Sequence, residues 1–197
     1  MSELLPGFHR TMSGRFVVEV DSTERGLLLS VARQVIDLVR PADLPQDADP
    51  LAHQWGWAED DGQAPDDPAV ARLLPSGYAE EEDARDFRRF TERDLRSTKV
   101  RHAMDVVGDI EGSGEKIVTT APDSWLGLLN DARLAIGTRI QISEDNHDEL
   151  AGLPDGDPRV GLLHVYDWLT FLQESLVRCL NPTLYGFGDD EIDVVED

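Results

Sequence analysis

Seven cations crowd residues 85–101. Arg85, Arg88, Arg89, Arg93, Arg96, Lys99 and Arg101 face only Asp86, Glu92 and Asp94, a local net charge of +4. Arg85, Arg89, Arg93 and Arg96 follow at steps of four, four and three, which on a helix lines their guanidinium groups along one face. A guanidinium presents a planar fork of donors that matches a carboxylate or a phosphate. The chemistry open to this ridge is anion recognition, directed either at an outside partner or at the chain's own acidic segments. A second polar set, Asn130 and Arg133, lies about one position around from an apolar stripe that begins at Trp125. That placement predicts at least half burial, so both side chains need partners, supplied by a structural network or by something bound.

Other chemistries find less support. His9, His53, His102, His147 and His164 are scattered, with no His-Glu-x-x-His spacing, and Cys179 is the sole cysteine. A zinc site cannot then draw on paired thiolates, nor can the chain close an internal disulfide. Glu144 to Glu149 offers oxygen ligands around His147 but lacks the glycine and the distal glutamate that shape a calcium loop, so it reads as a solvated charge run. Gly112-Ser113-Gly114-Glu115-Lys116 lacks the frame of a phosphate loop and reads as a turn. Cys179 falls near the end of an apolar stripe, as a small core residue would, and no Gly-x-Ser-x-Gly elbow is present. No catalytic residue, metal or cofactor is therefore expected. An enzyme built on Arg133 and a carboxylate such as Glu24, or a small-molecule binder, stands as a third possibility.

The net charge of −22 opposes a nucleic-acid partner, because a polyanion repels a duplex. The acid is concentrated, however. Residues 41–79 hold eight acids and one base, 144–157 hold six acids and no base, and 186–197 hold six acids and no base, which leaves the helical body near neutral. No apolar run approaches the roughly 20 residues of a membrane span, and none near Met1 resembles a signal peptide, so a cytoplasmic location is expected.

The elements that must carry these residues follow from periodicity. Phe8 to Met12 and Arg15 to Val20 flank Ser13-Gly14 and predict a β-hairpin. Asp21 and Glu24 form a capping-box pair that opens a helix with Leu28, Val31, Val35 and Leu38 inward, stopping before Pro41. Residues 41–79 contain six of the eleven prolines and predict an extended insertion; His53-Gln54-Trp55-Gly56-Trp57 within it suggests a docking segment. A second helix is expected from about Glu80 to Ile110, with Phe87, Phe90, Leu95, Ala103, Val106, Val107 and Ile110 as its apolar members and part of its length at the surface. Lys116 to Thr120 is a candidate third strand. Thr120 and Asp123, with Pro122 in the first turn, mark the helix that carries Trp125, Leu129, Ala132, Ile136 and Ile140. Asp157-Pro158 opens a last helix with Leu162, Val165, Leu169, Leu172, Leu176 and Leu180 inward, ending at Asn181-Pro182. The fold class is mainly α, of the α+β kind: four amphipathic helices packed with a small antiparallel sheet of two or three strands. Residues 1–185 read as a single helical domain with an acidic insertion at 41–79, and 186–197 as an acidic tail.

The block from Trp125 to Arg139, Trp-Leu-Gly-Leu-Leu-Asn-Asp-Ala-Arg-Leu-Ala-Ile-Gly-Thr-Arg, followed by Tyr166-Asp167-Trp168-Leu169 and Gln173-Glu174-Ser175-Leu176, resembles an uncharacterised actinobacterial family. The hairpin leading to Glu24 and the Phe87 to Lys99 helix share in the resemblance. It is a domain of unknown function whose genes tend to lie beside that of the protease adaptor ClpS. The resemblance implies a link to regulated proteolysis or sulfur-carrier processing, and some members are labelled transcription regulators. It carries over no catalytic residues.

The function expected from these observations is a non-catalytic regulatory or interaction protein whose partner is another protein. The candidate contacts are Arg85, Arg89, Arg93 and Arg96 on the second helix and Trp125, Asn130 and Arg133 on the third. The alternative is a nucleic-acid-binding transcriptional regulator that uses the basic face of the second helix.

Overall fold

Phe8–Thr11 (β1) and Phe16–Glu19 (β2) pair antiparallel, with Phe8 opposite Val18 and Arg10 opposite Phe16. Gly14 takes the turn at φ +82, and its amide donates to the carbonyl of Thr11. Lys116–Thr119 (β3) joins the other edge of β2, pairing Ile117 with Val18. In this computed structural model, which describes residues 6–40, 62–154, 156–181 and 194–195, Val194–Val195 (β4) also lies parallel to β1. The antiparallel three-stranded sheet and the four long helices are as the periodicity predicts.

Ser22–Val39 (α1) begins with the expected capping box: Asp21 accepts from the amides of Thr23 and Glu24, and Glu24 accepts from the amide of Asp21. The helix stops at Arg40, since Pro41 lacks an amide to continue it. Glu81–Gly112 (α3) is the longest helix, and Pro122–Ile140 (α4) and Pro158–Leu180 (α6) complete the four. None of the helices among the described residues is long and apolar enough to cross a membrane.

The core forms where the hairpin closes over α1, α3, α4 and α6. Trp125 sits at its centre with no exposed surface, edge-on to Phe8 with ring centroids 5.2 Å apart. Its indole Nε1 donates to Asp109 at 2.8 Å, and the neighbouring Ser124 hydroxyl donates to Asp105 at 2.8 Å. Two aspartates one turn apart on α3 thereby fix the start of α4. The hairpin is bound to α6 by the amide of Phe8, which donates to Ser175 Oγ at 3.0 Å. Gly7 makes this approach possible: it adopts φ +106, and a Cβ there would stand 2.8 Å from that of Ser175.

Three expectations need correction. Residues 62–79 of the acidic insertion are not simply extended: Pro68–Leu73 (α2), capped by Asp67, packs Val70 and Leu73 against Val39. The His53 to Trp57 segment lies outside the described residues. Pro122 opens α4 as expected, but Thr120 does not cap it, because Ala121 occupies the cap position with no side-chain bond. On α6 the stripe begins at Leu163 rather than at the exposed Leu162, since His147–Ala151 (α5), a short helix inside the second acidic connector, brings Leu150 over Leu163 and Ile140. Part of α3 lies at the surface, as expected: Phe87, Phe90 and Leu95 are exposed, so the helix is buried mainly over its second half.

Candidate functional site

The seven candidate residues fall into three environments. Trp125 belongs to the core just described and presents nothing to a partner. Arg85, Arg89, Arg93 and Arg96 follow the first half of α3, while Asn130 and Arg133 border a groove on the far side of α4.

On α3 the first turn carries Glu81, Glu82 and Asp83, which suits the positive end of the helix dipole. Arg85 pairs with Glu81 at 3.4 Å and Arg89 with Asp86 at 3.6 Å, both at the surface. Ion pairs of this exposed kind contribute little and exchange readily with solvent or another carboxylate. Arg96 differs. It holds the 7% exposed Glu92 at 2.6 Å and donates to the carbonyl of Val39 at 3.1 Å, so it clamps the end of α1. Arg93 also makes an interaction of its own. The ridge therefore divides into a surface portion, Arg85, Arg89 and Arg93, and a structural one, Arg96.

Between the surface arginines lies an apolar feature that the charge pattern hid. Phe90 is 82% exposed, and Phe87 packs edge-on against Tyr78 with centroids 5.5 Å apart, both rings partly open to solvent. Continuing from Phe90 at helical spacing, Arg93, Ser97, Arg101 and Met104 are all exposed. The outward face of α3 thus alternates large apolar side chains with guanidinium groups, a mixture common at protein contact surfaces.

The second half of α4, the turn after it, α5 and Tyr166 enclose a groove of about 720 Å³. Asn130 is exposed at its edge rather than half buried as the sequence implied. Arg133 is half buried, and its guanidinium donates to Thr170 Oγ1 at 2.7 Å, Gln173 Oε1 at 2.9 Å and Tyr166 Oη at 3.3 Å, stacking 5.1 Å from the centre of the Tyr166 ring. Every one of these partners is neutral. At the mouth, His147 Nε2 lies 3.0 Å from Asp167, whose carboxylate raises the imidazole above its ordinary 6.5, first through the hydrogen bond and then through its charge. Asp148 adds to the rise.

Sequence reading missed Asp131, which is 2% exposed and meets Lys99 at 2.6 Å across α3 and α4. Burial pushes its carboxyl up, with the Lys99 ammonium opposing. Tyr166, Thr170 and Gln173 were legible as one stripe of α6 from their spacing of four and three, but not as the partners of Arg133. Among the described residues no group of three or more His, Cys, Asp or Glu is placed to hold a metal ion.

Known proteins place this chain in a family. The chain is 28% identical over 182 residues to the oxidative stress regulator AosR of Mycobacterium tuberculosis and to that of Mycobacterium bovis, covering 84% of this chain and 82% of each relative. A putative oxidative stress regulator AosR of Mycobacterium leprae is 28% identical over 185 residues, covering 86% of this chain and 84% of the relative. No solved structure matches. Residues 5–180 match the family described as a domain of unknown function, DUF2017, and the chain belongs to that family.

Proposed function

We propose that this protein is a non-catalytic regulator that acts by docking a protein partner on the outward face of the first half of α3. The observation that carries the reading is Phe90, a large apolar side chain 82% exposed and flanked by Arg89 and Arg93. Leaving a phenylalanine in water forgoes roughly 2 kcal/mol of burial, and an aromatic anchor rimmed by arginines is the composition of a contact hot spot. The partner that fits has an apolar recess bordered by carboxylates, which would exchange with Glu81 and Asp86 for the arginines. Relatives named oxidative stress regulators support a regulatory role. The link to regulated proteolysis implied by the resemblance belongs to this proposal as one class of partner. A nucleic-acid partner fits less well, since the chain carries −22 and Arg85 and Arg89 already face carboxylates.

If the role includes a response to oxidants, an intramolecular disulfide cannot be its switch, because Cys179 stands alone. The thiol is half buried, donates to the carbonyl of Phe8 at 3.0 Å, and is pushed above its ordinary value by burial. Such a thiol is a poor nucleophile at neutral pH.

Affinity isolation from native extract with the wild-type chain and with the Phe90→Glu/Arg93→Glu variant, quantified side by side, tests the proposal. A protein recovered with the wild type and depleted at least about tenfold with the variant, equivalent to about 1.4 kcal/mol, supports docking there. Identical recovery with both proteins overturns it.

A further inference from the structure

We infer that the groove between α4, α5 and α6 is a binding site for a small organic oxyanion, a carboxylate or phosphate carrying an apolar body, held between Arg72 and Arg133. The site is separate from the α3 face, so neither reading depends on the other.

The argument begins with charge. Both arginines line the groove, and neither lies within ion-pair distance of a carboxylate among the described residues. In a chain of net charge −22, carboxylates are abundant, yet Arg133 is held by a hydroxyl, an amide oxygen and a phenol. These neutral groups fix the guanidinium in place without cancelling its charge. They use three of its five N–H donors, which leaves two for a ligand. The cost of half-burying a cation without a counter-ion is offset when an anion arrives.

The opposing groups are few. Glu144 borders the groove, and the Asp167 carboxylate beside it is met by His147 at 3.0 Å. Among the side chains that line the groove, Arg72 and Arg133 outnumber the one carboxylate, Glu144, while Asp167 and Asp148 act on His147 at the mouth.

Shape supplies the rest of the ligand's description. Leu134, Ile142 and the Tyr166 ring give the groove an apolar side. Gly137 lets α4 come close to them: a Cβ there would stand 2.9 Å from Ile142 Cγ2 and 3.4 Å from Tyr166 Cε2. Gln141, at φ 55, then turns the chain away from the helix and opens the space that Ser143 and His147 border. A volume of about 720 Å³ suits a metabolite rather than a lone inorganic ion.

The test is calorimetric titration of the full chain with phenyl phosphate, with benzoate, and with benzyl alcohol as the uncharged analogue. At least one anion is expected to bind once per chain. Binding should weaken about tenfold in Arg72→Ala and be lost in Arg133→Gln. Benzyl alcohol should give no signal. Phenyl phosphate alone assigns the natural ligand to phosphates, benzoate alone to carboxylates, and both together support the shared oxyanion chemistry. Should Arg133→Gln fail to fold, Arg72→Ala decides the matter, because Arg72 is exposed and its side chain makes no hydrogen bond or ion pair among the described residues. Absence of binding by both anions at millimolar concentration, equal binding of benzyl alcohol, or anion binding unchanged in the variants overturns the proposal.

Discussion

Lys99 and Asp131 meet at 2.6 Å with the aspartate only 2% exposed, and this pair is the principal charged bridge between α3 and α4. It fixes how the helix bearing the arginine ridge sits on the helix bearing Arg133. Asp131→Ala leaves the Lys99 ammonium partly buried without a counter-charge, which should cost about 3 kcal/mol. Chemical denaturation measures this. Lys99→Met/Asp131→Leu should recover most of the loss, since removing both charges also removes the desolvation penalty.

Trp125 is expected to be structural. Trp125→Phe retains an aromatic ring against Phe8 but removes the Nε1 donor from Asp109, leaving a partly buried carboxylate oxygen short of a partner at a cost of about 2 kcal/mol. The thermal midpoint should fall while affinity for the α3 partner stays unchanged in the folded protein.

His147 supplies the pH dependence. Its folded pKa lies above 6.5 because Asp167 stabilises the imidazolium. The contribution of the pair is fully present below 6.5 and is lost as pH rises through the raised folded value. An NMR titration of the His147 ring should give a midpoint above 6.5 in the wild type. Asp167→Asn should bring it down toward that value.

Cys179 should resist alkylation in the folded protein and react readily in denaturant, since burial raises its thiol and Phe8 holds it. Mass analysis after timed exposure to iodoacetamide reads the difference.

Much of this architecture is legible from local pattern. The Asp21–Glu24 capping box, the Gly14 turn and the stripe from Trp125 to Ile140 each depend on neighbours a few residues apart, and each forms as the spacing predicts. The candidate sites depend on contacts between distant segments. That Arg96 reaches Val39, or that Arg133 faces Thr170 and Gln173, is set by how helices cross, which periodicity does not encode. Phe90 shows the same limit from the other side. At its spacing it resembles a core residue, yet no element covers that part of α3 among the described residues.

Docking through α3 is tested most directly by a photo-crosslinking amino acid placed at position 90, compared with one at the exposed Ser30 on α1. The substitution at Phe90 should change stability by less than about 0.5 kcal/mol, because the side chain is already in water. A discrete crosslinked protein at position 90, absent at position 30 and lost with Arg89→Glu/Arg93→Glu, is the predicted result. The same crosslinks at both positions, or none at position 90, would contradict it.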